Sequence, residues 1–215
     1  MKKHAIIFDL DGTLLNTLED LADSTNFALR ELNYPEHTID EIRNFVGNGV
    51  AKLIERATPD GVNYEKCLQI FKKNYSRNMY NKTAPYEGIL SMLSTLREKG
   101  YKIAVVSNKF DAAVKELCQK YFPNLIDIAI GENEALGIRK KPAPDTVLQA
   151  LIELQTTAEN AIFCGDSDVD IMSAKNSNMP CISVTWGFRN KEFLLKHGAE
   201  IIVNTPQEII DFLEN

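Results

Sequence analysis

Short apolar runs that end in Gly, Asp or Ser recur along the chain and alternate with amphipathic segments. This is the pattern of a parallel sheet joined by crossover helices. The predicted strands are Ala5–Phe8, Lys102–Ser107, Ile126–Gly131, Ala161–Gly165, Cys181–Thr185 and Glu200–Val203. A helix over Glu87–Lys99 stops at Gly100, which serves as its C-cap. The last helix begins with Thr205 as N-cap and Pro206 at its first position, and Glu208 completes a capping box. From about Asn16 to Ala84 the alternation stops and only helical periodicity remains. Leu18, Leu21, Ala22, Leu29 and Leu32 share one face, Thr38 and Glu41 form a second capping box, and Asn63–Tyr80 reads as a longer helix. The turn Gly47-Asn48-Gly49 separates two helices of this interval, and Pro85 and Gly88 mark the return of the chain. The pattern predicts an α/β fold: a parallel-sheet core from residues 1–15 and 85–215, with a helical domain, 16–84, inserted after the first strand and sitting over the sheet.

Composition narrows the classes of function. A chain of 215 residues exceeds one average domain and falls short of two large ones, which fits one full core plus an insertion. A hydrophobic fraction of 44% supports a buried interior. The net charge of -6 opposes broad attraction to nucleic acid or to anionic membrane surfaces, so neither is an expected partner. An anionic substrate then needs local compensation from a metal or from a few placed cations. Cys67, Cys118, Cys164 and Cys181 show no C-x-x-C spacing and no histidines arranged as in zinc sites, so they read as reduced, buried thiols. The apolar stretch Ala5–Phe8 is cut by Asp9 and Asp11, far short of a signal core, and no run approaches a membrane span. A cytoplasmic chain, monomer or homodimer, is the expectation.

The chemistry concentrates where strands end. Asp9 and Asp11 close the first strand two residues apart, so both carboxylates can reach one volume at the carboxyl edge of the sheet, where open α/β folds bind ligands. Two such carboxylates repel each other unless a cation lies between them. Gly12 permits a sharp departure of the chain and Thr13 can satisfy backbone groups in the turn. The same residues also fit an ordinary Asp-Gly turn. Ser107 closes the second core strand and opens a helix, so its hydroxyl and the Asn108 N–H can hold phosphate oxygens, although an N-cap would look alike. Lys141 sits before two prolines, Pro142 and Pro144, that can aim one ammonium inward, although a solvated lysine is the ordinary alternative. In Gly165-Asp166-Ser167-Asp168-Val169-Asp170, Asp166 and Asp170 are spaced to face the same point, and three clustered acids exceed what capping a helix needs. Together these positions supply a nucleophile, a proton donor and acceptor, oxyanion contacts, a cation and metal-binding carboxylates.

With these motifs in this order, Asp9-Leu10-Asp11-Gly12-Thr13, Ser107-Asn108-Lys109, Lys141-Pro142 and Gly165-Asp166-Ser167 through Asp170, the sequence resembles the haloacid dehalogenase superfamily over its whole length. The likeness is to the phosphatase branch that contains phosphoglycolate phosphatases. The resemblance implies a Rossmann-like core with a helical cap domain that closes over the site. It implies that Asp9 attacks phosphorus to form an aspartyl phosphate, and that Asp11 protonates the leaving alkoxide and then activates water. It implies Mg²⁺ held by Asp9, the Asp11 carbonyl and Asp166, with Asp170 acting through water. Ser107 and Asn108 would hold the transferring group, Gly12 and Thr13 would line the phosphate, and Lys141 would steady Asp9. An acid at position 11 points to phosphate rather than dehalogenase chemistry. Asn48, in the cap turn, and Arg189, in Trp186-Gly187-Phe188-Arg189, are the substrate contacts that the likeness suggests. The implied partner is a small phosphorylated metabolite, with 2-phosphoglycolate the first candidate. A phosphosugar mutase like β-phosphoglucomutase, or a pyrophosphatase, would share every core motif. A phospho-receiver signalling domain uses similar groups, but there the acid pair precedes the phosphorylated aspartate.

Overall fold

The structure, a computed structural model, describes residues 3–214. The chain begins with β1 (Ala5–Phe8) and β2 (Leu15–Asn16), followed by four helices, α1 (Leu18–Glu31), α2 (Ile39–Phe45), α3 (Val50–Ala57) and α4 (Glu65–Asn78). It continues through β3 (Ala84–Pro85), α5 (Ile89–Glu98), β4 (Lys102–Phe110), α6 (Asp111–Tyr121), β5 (Ile128–Glu132) and α7 (Asp145–Glu153). The last third holds β6 (Ala161–Gly165), α8 (Asp168–Asn176), β7 (Cys181–Val184), α9 (Lys191–Lys196), β8 (Ile201–Val203) and α10 (Pro206–Glu214). Residues up to Leu15 and from Pro85 form one compact unit, and Asn16–Ala84 form a second.

The first unit is built on a six-stranded sheet in the order β5-β4-β1-β6-β7-β8, with every pairing parallel. All four residues of β1 are fully buried, which is why this strand is a continuous apolar run instead of an alternating one. On one face Ile7, Val106 and Phe163 pack against Val147 and Leu151 of α7 and Ala174 of α8. After β1 the chain builds outward to β4 and β5 on one side, then returns to place β6, β7 and β8 on the other. The loops that follow β1, β4 and β6 therefore diverge around one crevice at the carboxyl edge, the place where this architecture binds ligands.

Two expectations about this sheet change. β4 runs three residues past Ser107, because β5 stays paired with it as far as Phe110 and Glu132, with a register shift between Val106 and Phe110. Ser107 is thus inside a strand, and the helix starts only at Asp111. β5 begins at Ile128 because Asp127 is an anchor: its carboxylate accepts the Ile103 N–H at 2.8 Å and ion-pairs with Arg97.

In the second unit, Leu18, Leu21, Ala22 and Leu29 form the buried face of α1, while Leu32 caps the helix and is half-buried. The Thr38–Glu41 capping box at α2 is complete in both directions. The helix expected over Asn63–Tyr80 is the shorter α4, whose N-cap is Tyr64; the Asn63 side chain accepts the Glu65 N–H at 2.8 Å from just outside the helix. Asp20, on the polar side of the sequence pattern, is buried. Its carboxylate accepts the N–H groups of Lys82 and Thr83 and the Thr83 hydroxyl at 2.8–3.1 Å, which fastens the start of this unit to its end. The outgoing and returning connections, β2 and β3, pair as a two-stranded ribbon. Cys67, Cys118 and Cys164 are buried free thiols, and Cys181 is only partly buried. Among the described residues no helix is long and apolar enough to cross a membrane.

Candidate active site

The Asp9 N–H donates to the Cys164 carbonyl at 2.9 Å, which continues the sheet ladder one residue beyond β1 and sets the Asp9 carboxyl at the carboxyl edge. The chain then turns sharply. The N–H groups of Thr13, Leu14 and Leu15 all donate to the Leu10 carbonyl, and Gly12 takes a φ of +90°. The turn that begins at Leu10 gives Asp9 and Asp11 different lysine partners, although Asp11 stays near enough for its charge to raise Asp9. Asp9 Oδ1 accepts Lys141 Nζ at 2.7 Å, while both Asp11 oxygens accept Lys109 Nζ at 2.9 Å.

Two further acids join Asp9 from the end of β6. Ser167 caps α8, and Asp170 Oδ2 completes the box by accepting the Ser167 N–H at 3.1 Å and its hydroxyl at 2.6 Å. The other Asp170 oxygen accepts Lys141 Nζ at 2.7 Å. Asp166 Oδ2 accepts the Phe188 N–H at 2.6 Å, and Oδ1 accepts the Thr13 hydroxyl at 3.3 Å. Gly187 lies so close to Asp166 that a Cβ there would collide with its carboxylate and with the Gly12 carbonyl. Asp9, Asp166 and Asp170 are all buried, and each offers an oxygen within 4.8 Å of the others. Asp168, the third acid of the sequence cluster, is the first residue of α8 and lies outside this triad.

The electrostatics follow from burial. Asp9 is pushed up from 3.8 to about 7, chiefly by desolvation, with the Lys141 ammonium offsetting part and Asp170 adding to the rise. Asp166 is held well above the usual carboxylate range by burial and by the charges of Asp170 and Asp9. Burial alone would lower Lys141, yet Asp170 and Asp9 hold its ammonium above the ordinary lysine value. With all three carboxyls ionised, three negative charges would face the Lys141 ammonium, an excess of two that one divalent cation would cancel. Three carboxylate oxygens are hard donors, so the set fits Mg²⁺.

Lys141 is aimed by its neighbours. The Asn108 amide donates to the Lys141 carbonyl at 2.9 Å, and the Asn176 amide donates to the Pro142 carbonyl at 2.8 Å. Its ammonium lies 5.4 Å from the centre of the Phe163 ring. Ser107 and Asn108 are buried on β4 just past Val105, the partner of Phe8. The Asn108 side chain is thus engaged with the Lys141 backbone. Arg189 stacks on Phe193 at 5.4 Å, and its charge offsets a small part of the rise at Asp166. Asn48 belongs to the helical unit, where its Oδ1 accepts Arg56 Nη2 at 2.8 Å. Lys109 is the buried charge that the sequence reading left without a role. Its signal was the i, i+2 relation to Ser107, which acquires meaning only once β4 extends to Phe110.

The family model for haloacid dehalogenase-like hydrolases matches residues 6–184. A phosphoglycolate phosphatase of Aquifex aeolicus (strain VF5) is 32% identical over 213 residues, covering 96% of this chain and 99% of the relative. Another phosphoglycolate phosphatase, of Psychrobacter arcticus, is 32% identical over 221 residues, with 98% and 93% covered. A crystal structure from Lactobacillus delbrueckii subsp. bulgaricus, described as a candidate phosphoglycolate phosphatase, superposes with a TM-score of 0.93 at 36% identity over 99% of each chain. The matched span runs from β1 through β7 and contains every acid of the triad together with both buried lysines, and on that match the chain belongs to the haloacid dehalogenase-like hydrolase family.

Proposed function

We propose that this phosphatase hydrolyses a small phosphomonoester through an aspartyl phosphate on Asp9, with Mg²⁺ at the acidic triad and 2-phosphoglycolate as substrate. The observation that carries the reading is the setting of Asp9: a buried carboxylate at the end of the central strand, held by an ammonium and grouped with two more acids. An anionic nucleophile meets an anionic phosphate only where positive charge offsets their repulsion. When bound, the metal supplies that charge and polarises a phosphate oxygen. Lys141 orients Asp9 and shares the developing charge. Asp9 attacks phosphorus, the ester P–O bond breaks, and the Asp11 carboxyl gives its proton to the departing alkoxide. Water then attacks phosphorus, Asp11 takes a proton from it, and the bond to Asp9 breaks to release phosphate. Ser107 and the backbone at Asn108 hold the phosphate oxygens, with Gly12 and Thr13 beside them. The helical unit serves as the cap, Asn48 contacts the organic part of the substrate, and Arg189 meets its carboxylate. The names of the relatives support 2-phosphoglycolate in particular. Quenching the enzyme in acid during turnover of labelled phosphomonoester should leave the label on Asp9. Label on another residue, or sustained turnover with no label, rules the reading out.

Metal binding and pH are coupled through Asp9. Its folded value near 7 lies above the ordinary 3.8, so the folded chain binds more protons than the unfolded chain between about pH 4 and pH 7. Stability contributed by this group is therefore present at low pH and lost as pH rises through that window. A cation must displace the same protons, so it binds better as they leave. At 100 times its dissociation constant Mg²⁺ should add about 2.7 kcal/mol, a rise in Tm of roughly 5–10 °C for a chain of this size. The rise over an EDTA control should be larger at pH 8 than at pH 5. Equal rises at both pH values, or none, would contradict the site.

A further inference from the structure

We propose that Lys109 is a positioning residue that holds the Asp11 carboxyl in the orientation proton transfer requires. The inference rests on the acid–base role given to Asp11 above. Lys109 Nζ lies 2.9 Å from both Asp11 oxygens, and its side chain is only 1% exposed. Stability does not account for such a pair. Burying the Lys109 ammonium beside a partly buried carboxylate costs desolvation that their attraction barely offsets, and ordering a lysine chain costs rotamer entropy. Apolar residues of the same volume would serve the fold as well.

The need for an anchor is geometric. Asp11 stands in a turn, next to Gly12 at φ +90°, and the sheet ladder gives its side chain no direction. The terminal torsion of an aspartate is broad and intrinsically poorly fixed. Two contacts from one ammonium set both the place and the plane of the carboxyl. The lysine reaches it because β4 overruns β1: the last β1 residue, Phe8, pairs with Val105, whereas β4 continues to Phe110. Lys109 lies on this overhang, in the stretch between Val106 and Phe110 where the register with β5 shifts. During transfer Asp11 keeps one oxygen on Nζ and presents the other to the leaving oxygen. The proton passes between Asp11 and that oxygen as the ester bond breaks, and Lys109 keeps its own protons throughout.

The test compares Lys109→Met and Lys109→Arg with the wild type on 2-phosphoglycolate, whose alkoxide needs a proton to leave, and on p-nitrophenyl phosphate, whose leaving group does not. Loss of the anchor should lower kcat/KM for the alkyl ester by about 10²-fold, and that for the aryl ester by less than about 3-fold on the same reasoning. The kcat should fall for both esters, because attack of water on the common phosphoenzyme also needs Asp11. Lys109→Arg should recover part of the loss. A uniform loss in kcat/KM across both esters means mere structural support and overturns the proposal, as does no loss at all. If Lys109→Met does not fold, Lys109→Arg carries the test by the same criterion, a smaller loss confined to the alkyl ester. Asp11→Asn is run in parallel. If that variant fails to discriminate between the esters, the acid–base reading of Asp11 falls with the proposal, which separates that failure from an error about Lys109 alone.

Discussion

Replacing Asp9 with asparagine should lower kcat by at least ~10³-fold while leaving the fold intact. The amide keeps the shape of the side chain and an oxygen for Lys141 Nζ, now 2.7 Å away, but it has no negative oxygen with which to attack phosphorus. The structure adds a second expectation. Asp9 is costly to ionise in place, since burial pushes it to about 7 and Asp170 and Asp11 oppose its charge. A neutral side chain removes that cost, so in EDTA at pH 8 the variant should melt at or above the wild-type temperature. Steady-state and single-turnover assays, read beside melts by circular dichroism, check both halves. A variant that keeps kcat within tenfold of wild type cannot have lost its nucleophile.

Lys141→Met should do the reverse to stability. The ammonium is 3% exposed and bridges Asp9 and Asp170, which would otherwise face each other as two buried carboxylates with no shared cation. Removing one member of a buried ion cluster leaves uncompensated charge and costs about 3–5 kcal/mol, a fall in Tm of roughly 6–20 °C for a chain of this length. The deficit should shrink at pH 5, below the raised value of Asp9, where that carboxyl is neutral, and should shrink again with Mg²⁺ at pH 8. Activity should also fall, by ~10²-fold or more, because the charge that orients Asp9 is gone. A melting temperature within 2 °C of wild type at pH 8, by the size scaling used above, would mean that the triad does not depend on Lys141 for its charge balance.

Much of this molecule was legible from residue order alone, and the reason is periodicity. β1 and β6 are apolar runs because both faces of a central parallel strand are covered, so their limits at Phe8 and Gly165 follow from where the apolar run stops. Carboxylates placed just past those limits necessarily emerge along one edge of the sheet. The clustering of Asp9, Asp166 and Asp170 was therefore implicit in the pattern, as was the helical character of the stretch between β1 and α5. The capping signals at Thr38 and Glu41 act within one turn of helix and need nothing from the rest of the chain.

What the pattern left open was decided by contacts between distant segments. The end of β4 depends on its partner β5, whose pairing through Glu132 holds Asn108, Lys109 and Phe110 in the sheet although their sequence looks like the opening of a helix. That extension turns Asn108 toward the Lys141 carbonyl and brings Lys109 to Asp11 across 98 positions of chain. Asp11 takes a different lysine from Asp9 for the same kind of reason: the chain turns at Gly12 and β4 reaches past β1, while Asp11 stays near enough for its charge to raise Asp9. Asp20 reads as a surface residue of an amphipathic helix, yet it is buried because backbone N–H groups 62 and 63 residues away require an acceptor. Local propensity acts over a few residues and can be read along the chain. The partner of a charge, and so the chemistry that charge performs, is settled only when folding removes it from water and leaves it one direction in which to be satisfied.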